Sequence, residues 1–203
     1  MTKRIFDIIF SFITLLVLSP LIFILVILII KEDGRPVFFK QKRSGLYGEV
    51  FEIYKFRSMK SKQVPVASNT HDEYDWKDGV PDNFIFKAES EHNPNITKVG
   101  NFIRRYSLDE IPQFFNVLKG DMSIIGPRPE IINISRFYNS YQKKRLEINP
   151  GITGLAQVNG RSEINHGKKI KYDIDYVEHF SLWLDLRILL KTIAQVIGGR
   201  GSV

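Results

Sequence analysis

Within residues 104–130 the chain gathers the side chains best suited to chemistry. Two adjacent carboxylates, Asp109 and Glu110, have Arg104 and Arg105 before them. Arg128 follows in a rigid Gly126-Pro127-Arg128-Pro129 turn. A carboxylate can ligate a hard cation or attack an electrophile. Arginine forks clamp phosphate oxygens in pairs. Together these groups point to chemistry on a phosphate ester. A plainer reading fits the same residues. Ser107-Leu108-Asp109-Glu110 matches a capping box, with Ser107 as N-cap and Glu110 at N3 reaching back to it. Acids in a first helical turn also suit the helix dipole. The two readings are compatible, because a carboxylate at a helix N-terminus is held ionised, as a nucleophile or metal ligand requires. Pro112 would remove a hydrogen bond at N5 and crowd the Leu108 carbonyl. The spacing therefore predicts a helix that starts nearer Asp109 or bends there.

The chain that must position these groups has 203 residues, enough for one domain with a real core. A formal net charge of +7 favours anionic partners such as phosphates, anionic lipid headgroups or nucleic acid. The absence of cysteine excludes disulfides and thiolate zinc sites and fits cytoplasmic exposure. The four histidines, His71, His92, His166 and His179, lack metal-ligand spacing and read as surface or core residues.

Lys3 and Arg4 precede a long apolar run over residues 5–30 that carries no charge after Asp7. The run is long enough to cross a bilayer, which needs roughly 20 residues. It is too long for a signal peptide, and no Ala-x-Ala site follows. Ser19-Pro20 interrupts it near the middle, where proline removes a backbone hydrogen bond and kinks a helix. Both flanks are basic: Lys3 and Arg4 before, then Lys31, Arg35, Lys40, Lys42 and Arg43. The positive-inside rule places both flanks on the cytoplasmic side. A helix that enters, breaks at Ser19-Pro20 and returns satisfies this; a kinked span remains the alternative.

Residues 34–59 predict a β-hairpin. Pro36–Phe39 and Val50–Tyr54 are aromatic and β-branched, and the segment from Ser44 to Gly48 supplies the turn. Lys55, Arg57 and Lys60 follow as a solvated face or a wall of an anion site. Residues 61–95 turn polar and acidic, with Asp72, Glu73, Asp75, Asp78, Asp82, Glu89 and Glu91, and read as a long, partly mobile surface insertion. Apolar residues at helical spacing predict a helix over residues 130–147, with Lys143, Lys144 and Arg145 at its end. Such a helix packs on the core or lies on a membrane surface. Residues 150–161 form a glycine-rich loop that matches neither the P-loop nor the dinucleotide-binding pattern. Thr153, Gln157, Asn159 and Arg161 nonetheless suit a polar ligand. A polar helix is expected over residues 163–180. An amphipathic one follows over residues 182–197, with Trp183 suited to a membrane interface.

In order along the chain stand Lys3-Arg-Ile-Phe-Asp7, Ser19-Pro20, Ile53-Tyr-Lys-Phe-Arg57, Ser107-Leu-Asp-Glu110, Asn116-Val-Leu-Lys-Gly-Asp-Met-Ser123, Gly126-Pro-Arg-Pro129, Pro150-Gly-Ile-Thr-Gly154 and Gln157-Val-Asn-Gly160. Each is weak alone; their joint order is specific. In this the chain resembles the small monotopic phosphoglycosyl transferases, also called bacterial sugar transferases, over nearly its whole length. The resemblance implies an α+β, mostly helical fold. A re-entrant membrane helix would occupy residues 1–30 and a catalytic domain residues 31–203, on the cytoplasmic face of the bacterial inner membrane. It implies transfer of a sugar phosphate from a UDP-sugar to a polyprenyl phosphate, with Mg²⁺ and release of UMP. By the same resemblance Asp109 is the nucleophile and Glu110 the Mg²⁺ ligand. Arg104 and Arg128 lie near the phosphates. Asp173 lies near the site, with Asp175 close enough to keep that choice open. The loop carrying Thr153, Gln157, Asn159 and Arg161 lies near the nucleotide. The insertion at residues 61–95 departs from the leanest members and is not read as setting sugar specificity. Without the extra membrane helices of larger transferases, the chain is expected to be the catalytic unit alone. A homodimer is compatible with this reading. The rivals are a glycosyl transferase releasing UDP, a non-catalytic anchored protein whose Asp109–Glu110 only caps a helix, and a nucleic-acid binder, for which no recognised motif appears.

Overall fold

The computed structural model describes residues 2–62, 76–85, 93–160 and 164–198. The apolar run folds as two helices, α1 (Thr2–Val17) and α2 (Ser19–Asp33), bent by 61° at the break between them. The cause lies in the Ser19-Pro20 pair. Pro20 sits in the first turn of α2, where its missing N–H costs least. The Ser19 hydroxyl donates to the Leu16 carbonyl at 2.7 Å, satisfying an acceptor that the bend leaves open. No single helix among the described residues is long and apolar enough to cross a membrane, whereas the bent pair together is. One side of the pair is buried, with Leu25 and Ile29 against Phe56, Ile103 and Ile111. Phe12, Leu16, Val17 and Phe23 on the other side are exposed.

Polar groups tie both ends of this pair to the rest of the chain. Lys3 Nζ lies 2.6 Å from Asp185, and Arg4 donates to the Val117 and Leu118 carbonyls. Asp7, although on an apolar helix, is buried; it accepts from Ser123 Oγ at 2.8 Å and from the Ile124 N–H at 3.2 Å. At the far end Glu32 accepts the Lys98 and Val99 N–H groups, which are otherwise unpaired at the start of α3 (Lys98–Arg105).

The hairpin forms as the sequence predicts, with β1 (Phe38–Ser44) antiparallel to β2 (Val50–Phe56) and Phe38 opposite Phe56. A second, parallel pair joins β3 (Ser123–Ile125) to β4 (Gly151–Thr153). Between them lie α3 and α4 (Gln113–Lys119), and beyond β4 come α7 (Leu155–Asn159), α8 (His166–Glu178) and α9 (Leu182–Ile197). One core wraps the parallel pair, with Val117, Met122, Ile124, Ile125, Tyr176 and Ile188. Exposed Leu182, Trp183, Leu186, Leu190, Ile193 and Ile197 make the outer face of α9 apolar.

Three expectations need correction. The helix expected over residues 130–147 is broken into α5 (Ile132–Ser135), α6 (Ser140–Lys143) and a 3₁₀ turn over Lys144–Leu146. Asn139 causes the break: its side chain accepts the Gln142 N–H in a capping box and so starts a new helix. The loop over residues 150–161 is ordered as β4 and α7 as far as Asn159. The insertion is not wholly a mobile surface segment either. Its residues 76–85 pack inward, with Val80 buried among Ile134, Tyr138, Ile170 and Ile174, and Trp76 and Phe84 against the same cluster. Gln142 fixes Val80 by accepting its N–H and donating to its carbonyl. Asp72, Glu73, Asp75, Glu89, Glu91, His71 and His92 lie outside the described residues.

Candidate active site

The capping box does not form. Ser107 adopts φ 54° and makes no side-chain cap, and Leu108–Glu110 is a single 3₁₀ turn followed by Pro112 at the N-cap of α4. Left-handed backbone at a residue other than glycine, asparagine or aspartate is uncommon and strained. Here it turns the chain sharply between α3 and α4 and directs both following carboxylates inward. Asp109 and Glu110 are buried, at 4% and 8% exposure.

Two cations converge on them. Lys55, on β2, lies 2.7 Å from Glu110 Oε1 and 3.5 Å from Asp109 Oδ2. Arg128 Nη2 lies 2.7 Å from the same Glu110 oxygen. Burial opposes ionisation of Glu110, but Arg128 and Lys55 outweigh it and hold the carboxyl well below its usual range. Asp109 differs. Burial and the neighbouring Glu110 charge raise its pKa, against the pull of Lys55 and Arg128. One carboxylate is thus fixed as an anion and its neighbour is poised, which is the pattern expected of a reactive pair. Asp109 Oδ1 is buried and meets no hydrogen-bond partner among the described residues. A native interior seldom leaves such an atom empty without a use for it.

The Gly126-Pro-Arg-Pro129 turn that carries Arg128 lies directly on the Pro150–Gly154 segment. Gly126 donates to the Thr153 carbonyl and Gly151 to the Pro127 carbonyl, both at 2.9 Å. A Cβ on Gly154 would lie 2.1 Å from the Gly126 carbonyl oxygen, and one on Gly151 as close to the Gly126 nitrogen. The glycines of the two motifs are there so that two backbones can touch. A second brace comes from behind. Arg145, fully buried, pairs with Asp173 at 2.6 Å and donates to the Arg128 carbonyl at 2.8 Å and to Tyr138 Oη at 3.0 Å. Asp173 therefore reaches the site through Arg145 and the backbone of Arg128. Its neighbour Asp175 pairs with His179 on the surface.

Glu110 and Arg128 border a cavity of about 610 Å³. One end is polar, lined by Arg43, Glu110, Arg128, Glu130, His166 and Lys169. The other is apolar, lined by Phe10, Leu18 and Phe114 on one side and by Leu189, Ile193 and Val196 of α9 on the other. Thr153 lines it with its hydroxyl 2.7 Å from that of Thr192. Gln157 lines it with both amide atoms buried and without a partner among the described residues. Asn159 is not among the lining residues; it is exposed and donates to the Leu155 carbonyl. Arg104 donates to Ser58 Oγ at 2.9 Å. Arg161 lies outside the described residues.

For a divalent cation the chain offers the adjacent Asp109 and Glu110. No cluster of three or more acidic, histidine or cysteine ligands occurs among the described residues. This donor set suits Mg²⁺, which takes one or two carboxylates and completes its shell with water and substrate phosphates.

Sequence reasoning missed Arg43, Glu130, Arg145 and Lys169. Lys55 it noted only as part of a basic strand end. Its place two residues after Ile53, on the same face of β2, was the signal that could have separated it from a solvated lysine.

A buried carboxylate pair clamped by cations, with Glu110 and Arg128 lining a cavity that is part polar and part apolar, suits a phosphate-bearing substrate with an apolar part. The comparisons agree: residues 1–199 match the bacterial sugar transferase family, and the chain belongs to it. It is accordingly a sugar-phosphate transferase. Among its relatives, the galactosyl transferase CpsE of Streptococcus agalactiae is 41% identical over 203 residues, covering 98% of this chain and 43% of CpsE. The uncharacterised sugar transferase EpsL of Bacillus subtilis is 40% identical over 199 residues, covering 98% of this chain and 89% of EpsL. The UDP-glucose:undecaprenyl-phosphate glucose-1-phosphate transferase of Xanthomonas campestris is 39% identical over 204 residues, covering 97% of this chain and 39% of that enzyme.

Proposed function

We propose that this chain moves a sugar 1-phosphate from a UDP-sugar to polyprenyl phosphate, releases UMP, and does so through a sugar-phosphoryl aspartate on Asp109. The observation that carries the reading is Asp109 itself, buried, with an oxygen that has no partner among the described residues, next to Glu110, which lines the cavity together with Arg128. The name of the Xanthomonas relative supports both donor and acceptor classes.

The chemistry follows from the residues. An oxygen of Asp109 attacks the phosphorus that bears the sugar, and the bond from that phosphorus to the UMP oxygen breaks. UMP leaves with the electron pair. An oxygen of polyprenyl phosphate then attacks the same phosphorus. The Asp109 oxygen–phosphorus bond breaks, which restores the carboxylate and yields a polyprenyl diphosphate sugar. A carboxylic–phosphoric anhydride is reactive enough for a weak phosphate nucleophile. Arg128 and Lys55 bind the phosphate oxygens and offset the repulsion between anions. Glu110 would hold Mg²⁺, which would supply charge neutralisation at the phosphates and the leaving group. Thr153 and Gln157 contact the nucleotide side of the donor.

The bent α1–α2 pair acts as a re-entrant anchor in the cytoplasmic leaflet of the bacterial cell membrane, and the catalytic domain begins after it. Its exposed apolar side and that of α9 face lipid. This keeps the Asp109–Glu110 pair at headgroup depth, where a lipid phosphate need not enter hydrocarbon.

The test is nucleotide release. The protein in nanodiscs, with Mg²⁺, polyprenyl phosphate and a panel of UDP-sugars, is expected to yield UMP with at least one donor. Asp109→Asn is expected to lower that rate by at least about a thousandfold with the melting temperature unchanged. UDP in place of UMP would identify a glycosyl transferase, and substantial activity in Asp109→Asn would remove the aspartyl intermediate.

A further inference from the structure

One buried side chain at the polar end has no task in the scheme above. His166, the first residue of α8, is 4% exposed, and its Nε2 meets no hydrogen-bond partner among the described residues. Its ring lies 6.3 Å from that of Phe84 at 61° and 5.6 Å from that of Tyr138 at 48°. Burial, then the charge of Lys169, lowers its pKa to about 4, so the ring is neutral and carries one donor and one acceptor nitrogen. A buried polar atom without a partner leaves its desolvation uncompensated. A ligand hydroxyl would remove that cost.

The surroundings say which ligand. Lys169 follows His166 by one turn and pairs with the Glu130 carboxylate. Lys169 and Arg145 hold Glu130 ionised, at about 2, against the effect of burial. Phe84 adds an aromatic ring from the insertion, held where its carbonyl accepts the His166 N–H at 2.7 Å. All four residues line the cavity. A carboxylate, an ammonium, a neutral imidazole and an aromatic face form a site for a polyhydroxylated ring. Hydroxyls both donate and accept, and the apolar face of the ring lies on the aromatic.

Position selects the sugar over the base. Glu130 is two residues beyond Arg128, whose guanidinium contacts Glu110. The group next to the attacked phosphorus of a nucleotide sugar is the sugar, while the base lies a phosphate and a ribose away. Gln157 and Thr153 line a different wall, formed by β4, α7 and α9. Resting on the proposed function, we infer that Phe84, Glu130, His166 and Lys169 form the subsite for the transferred sugar, and that His166 with Phe84 selects among sugars. Residues 76–85 of the insertion thereby help to set donor specificity.

The experiment measures kcat/KM for UDP-glucose, UDP-galactose and their 2-acetamido counterparts in the full chain and in His166→Ala, His166→Gln and Phe84→Leu. The expected result is a change of about tenfold or more in the ratio between the best donor and its 4-epimer in His166→Ala, smaller in His166→Gln, with the KM for polyprenyl phosphate unchanged. A second measurement holds even where a variant is inactive. In the Asp109→Asn background, the affinity gained by the UDP-sugar over UDP alone should be lost with His166→Ala. An unmoved donor ratio together with an unmoved affinity difference would overturn the subsite. A shift confined to the polyprenyl phosphate KM would assign these residues to the acceptor. Loss of affinity for UDP itself would assign them to the base. If the parent releases UMP with no donor, the transferase reading fails first, and that outcome is distinct from an unmoved ratio.

Discussion

Two carboxylate–guanidinium pairs lie on either side of one turn, and they serve opposite ends. Glu110 meets Arg128 at 2.7 Å, and Asp173 meets Arg145 at 2.6 Å. In the second pair both side chains are 1% exposed and the cation is spent on interior partners: Asp173, Tyr138 and a backbone carbonyl. In the first, the Arg128 side chain is 38% exposed and opens on the cavity. Lys55 crowds the same Glu110 oxygen, and a poised Asp109 stands alongside. The enclosed pair is complete in itself; the open one has capacity left for a substrate. They are coupled, because the Arg145 guanidinium grips the carbonyl of Arg128. Similar distances therefore do not distinguish an ion pair that shapes a site from one that works in it. What distinguishes them is whether the cation has an unoccupied side.

The sharpest break in this comparison comes from removing one partner of the enclosed pair. Arg145→Met leaves Asp173 buried without its cation, and is expected to destabilise the protein by about 3–5 kcal/mol in a denaturant titration. Combining it with Asp173→Leu should recover much of that loss, since two well-packed apolar residues tolerate a dry interior. Activity in the double variant should stay low even where stability returns, because the Arg128 carbonyl has lost its brace. Full recovery of both would show that Arg145 does not position the turn.

Lys55→Met tests the open pair, through pH rather than stability. On the proposed mechanism Asp109 attacks only when ionised; burial already raises its pKa, whereas Lys55 lowers it. Removing Lys55 should raise that pKa further. Activity would then be lost at a higher pH on the acid side, and the acid limb of the kcat/KM profile should move to higher pH. A limb that stays in place while the rate falls would mean that Lys55 binds substrate without tuning Asp109.

How far the sequence showed this arrangement depended on distance along the chain. The hairpin and α9 were legible because each carries its own periodicity and turn or cap: Ser44–Gly48 for one, Ser181 for the other. The bend at Ser19-Pro20 was legible because proline acts locally. The Asp109–Glu110 pair was recognisable as chemistry, but its capping box was misread. Ile103 and Ile111, on either side of Ser107, both pack with Leu25 and Ile29 of α2, a long-range constraint that residues 107–110 do not display. Arg145, Glu130 and Lys169 were unreadable for a simpler reason. A charged residue on an apparent surface helix looks the same whether its partner is water or a carboxylate 28 or 39 residues away. The part of the insertion that packs inward was hidden because Trp76, Val80 and Phe84, though four residues apart, stand among Asp78, Gly79, Pro81 and Asp82, which read as loop.

The smallest effect separates the strain at the open pair from its chemistry. Ser107 holds φ 54° beside the two carboxylates, and its side chain makes no cap. Left-handed backbone costs a residue with a Cβ roughly 1 kcal/mol, and glycine far less. Ser107→Gly would remove that strain but would also give the unfolded chain more freedom, by a similar amount. Stability should consequently move by less than about 1 kcal/mol in either direction. Ser107→Val, a β-branched residue poorly tolerated in this region, should cost more. If the turn only needs its shape, Ser107→Gly keeps full activity and Ser107→Val loses activity in step with stability. A Ser107→Gly variant that folds normally but turns over slowly would mean that the stiffness of this turn, and not only its path, holds Asp109 in line with its phosphorus. The enclosed Arg145–Asp173 pair has no strained residue beside it, so only the open pair can give that second result.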